Sequence, residues 1–152
     1  MTILVTGATG RIGRHVVSEL LKRDAKVRVL TRDAAKADFP AGVEVVQGEF
    51  LDLDAMRAAF DGVRTLFLLN AVSGDEFTQA IIILNLAREA GVERVVYQSV
   101  FDAEGAVNVP HFAVKSGAER MLAAMDFSAT ILRPSYFIEN DVMIKDVIFD
   151  HG

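Results

Sequence analysis

Short runs of apolar, often β-branched residues alternate along this chain with longer stretches whose apolar positions recur at helical spacing. Thr2–Thr6 (TILVT) has the continuous apolar character of a buried strand, and a glycine-rich turn follows at once. Ile12, Val16, Val17, Leu20 and Leu21 then mark one face of a helix running to about Arg23. Lys26–Thr31 (KVRVLT) and Val43–Gln47 (VEVVQ) are the second and third strands. Leu53, Met56, Ala59 and Phe60 define a short amphipathic helix ending before Gly62, and Arg64–Leu69 (RTLFLL) is the fourth strand. From Phe77 to Ala90 the chain is so apolar (AIIILNLA) that this helix must be largely covered; Gly91 stops it. Arg94–Gln98 (RVVYQ), a helix over Phe112–Met125 and Phe127–Leu132 (FSATIL) complete the alternation, and Phe137–Phe149 is expected to be partly helical.

Apolar strands separated by helices predict a parallel sheet covered on both faces. Right-handed crossovers make that a doubly wound α/β fold, with a ligand crevice at the carboxyl ends of the strands. No internal repeat, low-complexity tract or linker interrupts the pattern, so residues 1–152 are expected to form one domain.

The turn after the first strand carries the most specific chemistry. Gly7, Gly10 and Gly13 stand between that strand and its helix, the placement in which a glycine triplet points to dinucleotide binding. Gly7 permits the tight turn, Gly10 lets a pyrophosphate approach the backbone, and Gly13 lets the helix lie against the sheet. The free N–H groups near Arg11 and Ile12 then face the phosphates. At the end of the second strand, where NAD-binding domains place an acidic residue, the chain reads Thr31-Arg32-Asp33 with Lys36 nearby. An arginine there can grip a 2′-phosphate bidentately, so NADP is preferred; Asp33 leaves NAD open.

Composition narrows the partners. Sixteen basic against twenty-one acidic residues leave a net charge of −5, which argues against a nucleic-acid surface, and the absence of cysteine excludes disulfides, thiol catalysis and cysteine metal sites. No apolar run approaches the roughly 18 residues that span a bilayer, and no secretory leader is visible. A soluble, cytoplasmic protein with no membrane contact is expected. His15 and His151 have no partners at metal-ligand spacing, so no metal is expected either.

With these residues in view, the chain resembles the NmrA-like branch of the atypical short-chain dehydrogenases/reductases. The resemblance rests on Leu4–Gly13 (LVTGATGRIG), Gln47–Phe50 (QGEF), His111–Glu119 (HFAVKSGAE) and Ile131–Asn140 (ILRPSYFIEN), and covers nearly the whole chain. It implies a Rossmann fold. It also implies either an NADPH-dependent reductase of quinones or azo compounds, or a redox sensor that binds the dinucleotide and signals through a protein partner. Gly7, Thr9, Gly10, Arg11, Ile12 and Gly13 would hold the pyrophosphate, and Arg32 and Lys36 the 2′-phosphate. Glu49 and Phe50 would lie by adenine, although the family more often has Asp at the first of these positions. Leu69, Asn70 and Ala71 would line the nicotinamide ribose, Lys115 would bond it, and Pro134, Ser135, Tyr136 and Phe137 would flank the nicotinamide. Relatives carry a further C-terminal portion that builds much of the substrate pocket, and this chain stops at Gly152, about where that portion would begin. The cofactor half of the site is therefore expected here without the substrate half, unless a partner supplies the missing wall.

Short-chain dehydrogenases acting on alcohols and ketones use Tyr-x-x-x-Lys with a serine. Here His111 stands four residues before Lys115, on the same helical face, and Ser99 could take the serine's place. His111, Lys115 and Ser99 are thus the candidate catalytic residues; the helix start and Lys115 both disfavour a charged His111, so a helix-start residue or a neutral imidazole contacting substrate is expected ahead of a proton donor. The missing tyrosine weakens a third reading, a sugar-nucleotide epimerase, more than it weakens quinone reduction. Glu119 is expected to pair with Lys115 one turn away, and Asp52, Asp54, Asp75 and Glu76 to serve helix starts. Methionines 121, 125 and 143 are expected to pack. Six of the eight residues in Val142–Phe149 are apolar, which predicts either a homo-oligomer contact or a poorly ordered segment.

Overall fold

The apolar runs pair side by side into one six-stranded sheet. In the computed structural model β1 (Thr2–Val5), β2 (Lys26–Thr31), β3 (Glu44–Gln47), β4 (Val63–Leu68), β5 (Arg94–Gln98) and β6 (Ser128–Leu132) are all parallel, in the order β3-β2-β1-β4-β5-β6. The helices are α1 (Arg11–Leu21), α2 (Leu53–Phe60), α3 (Glu76–Glu89), α4 (Pro110–Ala123) and α5 (Asp141–His151). The structure describes residues 1–151, except for the side chains of Lys36, Met143, Asp146, Ile148 and His151.

Alternation along each strand divides the core in two. Leu4, Leu30, Leu66, Leu68, Val95 and Tyr97 face Met56 and Phe60 of α2, Ile83 and Leu84 of α3, and Leu122 of α4. Val5, Val27, Val29 and Phe67 face Val17, Val16 and Leu20 of α1. Because α1 lies on one face and α2, α3 and α4 on the other, the chain changes face between β3 and β4. The crevice at the ends of β1 and β4 opens there.

One expectation fails at the far edge. The sheet is not covered on both faces throughout: Ser128, Ala129, Thr130 and Leu132 of β6 are exposed, with α4 the main helical neighbour of that strand. The segment after β6 forms a short 3₁₀ turn (Ile138–Asn140) and then a regular helix, α5, whose chief contact is that same turn. Val142, Ile144, Val147 and Phe149 therefore stand in solvent.

Candidate functional site

The crevice is built outward from Thr6, a residue to which the sequence reading gave no role. Its hydroxyl accepts the Leu69 N–H at 2.8 Å and lies 3.0 Å from the Leu69 carbonyl, while its own N–H donates to Phe67 O at 3.0 Å. The ends of β1 and β4 are thus clamped together just before the glycine turn. Gly7 has φ +61°, and a β-carbon on it would stand 2.9 Å from Leu69 O; only glycine serves. Gly13 is tighter still, since a β-carbon would come within 2.2 Å of Gly7 O. Helix α1 therefore lies directly on the turn.

The N-terminus of α1 has Gly10 as its cap residue, with no side-chain cap and no acidic residue in its first turn. The first helical bond is Arg14 N–H to Gly10 O at 3.0 Å, so the amides of Arg11, Ile12 and Gly13 precede the helical ladder. The local field there is positive. Thr9 and Arg11 are exposed beside it, and Ile12 is half-buried.

At the end of β2 the competition between Arg32 and Asp33 takes a definite form. The Asp33 carboxylate accepts the Ala35 N–H at 3.1 Å and caps a short 3₁₀ turn (Ala34–Lys36), whereas Arg32 is exposed. The side chain of Lys36 lies outside the described residues. Arg14, to which the sequence assigned no role, links this corner to the glycine turn. Its Nε donates to Thr9 O at 3.2 Å, its Nη1 donates to Asp38 O at 3.1 Å, and its guanidinium sits 5.6 Å from the Phe39 ring centre. Beyond β3, Glu49 is exposed and Phe50 packs against the core.

Beyond β4, Leu69 is half-buried, Ala71 is exposed, and Asn70 is buried with neither amide atom hydrogen-bonded. A buried amide without a partner costs free energy unless a ligand or water satisfies it. An uncapped helix start, a turn that excludes side chains and this unpartnered amide form a donor set suited to the pyrophosphate and ribose of a dinucleotide.

Across the crevice, the ends of β5 and α4 hold a buried ionic cluster. Lys115 Nζ donates to Gln98 O at 3.0 Å, approaches Glu76 Oε1 at 2.7 Å as an ion pair, and lies 5.1 Å from the Tyr97 ring centre. The other Glu76 oxygen is 3.0 Å from His111 Nδ1. Two expectations are corrected here. Glu76 is not a surface helix-start residue: it is 1% exposed and turned inward. Glu119 does not pair with Lys115: it takes Arg133 bidentately, with Nη2 at 2.5 Å and Nε at 3.0 Å, and also the Ser99 hydroxyl. The geometric cause is that α4 packs one side against α3 and the other against β6. Side chains one turn apart therefore meet different neighbours before they meet each other. The repulsion expected between His111 and Lys115 is bridged by the Glu76 carboxylate, which contacts both.

The cluster is strongly polarised. Burial pushes the Tyr97 hydroxyl well above the ordinary tyrosine range, with Glu76 and Glu119 adding to it. Burial alone would raise the Glu119 carboxyl, but the bonds from Arg133 and Ser99 outweigh it and hold that group below the usual carboxylate range. Ser99, tied to Glu119, is 4% exposed.

After β6, Pro134 is half-buried, its carbonyl accepting the Phe101 N–H at 2.8 Å. Ser135, Tyr136 and Phe137 are exposed, and the Tyr136 hydroxyl donates to Asp141 at 2.7 Å. A groove of about 720 Å³ runs from Arg11 and Ile12 along α1 to Phe67, Phe137 and Asn140. It is predominantly apolar and shares Arg11, Ile12 and Phe137 with the crevice.

Together the strand order and the glycine turn at the β1–β4 switch define a Rossmann-type dinucleotide-binding architecture. A profile of the NmrA-like family matches residues 1–148, and the chain belongs to that family. It is 30% identical over 156 aligned residues to quinone oxidoreductase 2 of Escherichia coli, covering 99% of this chain and 54% of that protein. It is 28% identical to the NAD(P)H azoreductase of Xenophilus azovorans, covering 99% of this chain and 53% of that one. Among solved structures, the triphenylmethane reductase of a Citrobacter species, complexed with NADP(H), superposes with a TM-score of 0.88 at 26% identity. It covers 100% of this chain and 56% of that one. The chain thus spans about half the length of the relatives it matches. Among the described residues, no helix is long and apolar enough to cross a membrane.

Proposed function

We propose that this chain carries the NADPH-binding half of a reductase whose acceptors are quinone-like or azo-type small molecules. The observation that carries the reading is the junction of β1, β4 and α1, where a side-chain-free turn is clamped by Thr6 and backed by an uncapped helix start. Gly7, Thr9, Gly10, Arg11, Ile12 and Gly13 would hold the pyrophosphate. Arg32 would take the 2′-phosphate, with Asp33 drawn aside into its cap. Asn70 and Lys115 would meet the nicotinamide ribose, and Tyr136 and Phe137 would border the nicotinamide. When bound, NADPH supplies the hydride. The chain's own task is to fix the dinucleotide at the strand ends and to present His111 beside it. An acceptor such as a quinone can draw its protons from water, so the absence of a tyrosine at His111 does not oppose this chemistry. The similar E. coli, Xenophilus and Citrobacter proteins, whose names describe quinone, azo-compound and triphenylmethane reduction, support the same reading.

The test is a fluorescence titration of the chain with NADPH and NADH, followed by NADPH oxidation assays with a panel of quinones and azo dyes. Tighter binding of NADPH, with oxidation when a quinone is added, is expected. No binding of either dinucleotide overturns the reading. Tight binding without turnover across the panel replaces reductase by a dinucleotide-sensing protein that acts through a partner.

A further inference from the structure

We propose that Glu76 is the positioning residue of this site, a buried carboxylate on α3 that holds Lys115 and His111 of α4 in their working attitudes. The inference rests on the reductase reading for what those two residues face, and on geometry for the rest. Glu76 Oε1 lies 2.7 Å from Lys115 Nζ, and its Oε2 lies 3.0 Å from His111 Nδ1. One carboxylate thus serves two cationic-capable groups a single helical turn apart. Glu119, the carboxylate on α4 itself, is committed to Arg133 and Ser99.

Packing alone does not call for such a group. A buried charge is costly to desolvate, and an apolar side chain of similar size would join α3 to α4 at least as well. What a carboxylate adds is direction. Lys115 has three N–H donors, of which the Gln98 carbonyl takes one while the Glu76 contact fixes the ammonium from another side. Glu76 Oε1 makes this contact as an ion pair and not as a hydrogen bond, so the donors that Gln98 does not take remain available to a ribose hydroxyl. With Nδ1–H of His111 donated to Glu76, Nε2 is the ring atom left free to accept a hydrogen bond from a bound ligand. The Tyr97 hydroxyl, whose ring lies beside Lys115, is buried without a hydrogen bond and does not take Glu76's part.

The test is a double-mutant cycle on the whole chain, using Glu76→Gln, Lys115→Met and the combination, with NADPH affinity read by fluorescence. Glu76→Gln is expected to weaken NADPH about tenfold, the scale of losing a charged partner. The double variant is expected to bind no more weakly than Lys115→Met alone, because Glu76 acts through Lys115. In the cofactor-free protein, ¹⁵N NMR should show His111 protonated on Nδ1, and Glu76→Met/Lys115→Met, which strands no charge, should lose that preference. Three results overturn the proposal: a Glu76→Gln protein that melts lower yet binds NADPH like the parent, additive losses in the cycle, or an unchanged His111 spectrum. If the parent binds no NADPH, the reductase reading fails by itself, and the NMR comparison still decides whether Glu76 orients His111.

Discussion

Two glycines three residues apart should differ in what an added side chain does to stability. A β-carbon on Gly13 would meet Gly7 O at 2.2 Å and Ala8 Cα at 2.6 Å, both backbone atoms that cannot turn away. Relieving that overlap requires α1 to move off the turn, and overpacking against backbone this severe falls at the upper end of the usual range, about 3 kcal/mol. The helix propensity gained by replacing glycine returns roughly 1 kcal/mol of it. Gly13→Ala should therefore lower Tm by several degrees, at about 2–4 °C per kcal/mol for a chain of this size. It should also weaken NADPH, because the displaced amides no longer converge. On Gly10 a β-carbon would meet only Gly7 O, at 3.2 Å. Its φ of −76° and ψ of 171° suit any residue. Gly10→Val should therefore keep the fold and melt only a few degrees lower, about 1 kcal/mol for a valine at a helix cap at roughly 2–4 °C per kcal/mol. Its side chain should nevertheless fill the space a pyrophosphate needs and cut NADPH affinity by more than tenfold. Calorimetry and fluorescence titration on both variants give the comparison. Gly13→Ala with the parent's Tm would refute the packing argument, and Gly10→Val with the parent's affinity would refute the site.

Arg32→Ala should weaken NADPH by about 10- to 150-fold, the worth of a charge-assisted phosphate contact, with little effect on NADH; equal losses would move the ribose contact to Asp33. Thr6→Val keeps the shape but leaves the Leu69 N–H without its acceptor, so urea unfolding should show a loss of about 1–2 kcal/mol. Glu119→Gln should destabilise at neutral pH by about 1–3 kcal/mol, discounted because Arg133 is half-exposed. The Glu119 carboxyl is held below its unfolded value, so its contribution is present above the ordinary carboxylate pKa and fades as pH falls through the lowered one. Parent and variant should therefore converge in acid, and a constant gap across an acid titration would refute the assignment. Exposed Val142, Ile144, Val147 and Phe149 on α5 should drive self-association of the 152-residue chain, seen by light scattering as a mass that rises with concentration. Phe149→Glu with Val147→Glu should abolish it, and a parent monomeric at every concentration would contradict the expectation.

Local rules set much of this protein from its sequence. Strand–helix alternation specified the parallel sheet, because continuous apolar strands need helices on their faces. The glycine spacing specified the turn, because only glycine tolerates the positive φ at position 7 and the contact at position 13. Arg32 and Asp33 were legible as rivals at one corner, and their different exposure and bonding followed once Asp33 found an amide to cap. What sequence spacing could not determine was which charges meet. Helical periodicity paired Lys115 with Glu119, and the fold instead gave Lys115 to Glu76, thirty-nine positions away, and Glu119 to Arg133. Ion pairing is short-ranged and depends on which elements lie against each helix face, a fact that exists only after α3, α4 and β6 have packed. Thr6 was invisible as a functional group for the same reason, and Asn70, which the family resemblance named, gave no sign of its unpartnered amide: the clamp and that amide arise where β1 and β4 end side by side, sixty-odd residues apart in the chain.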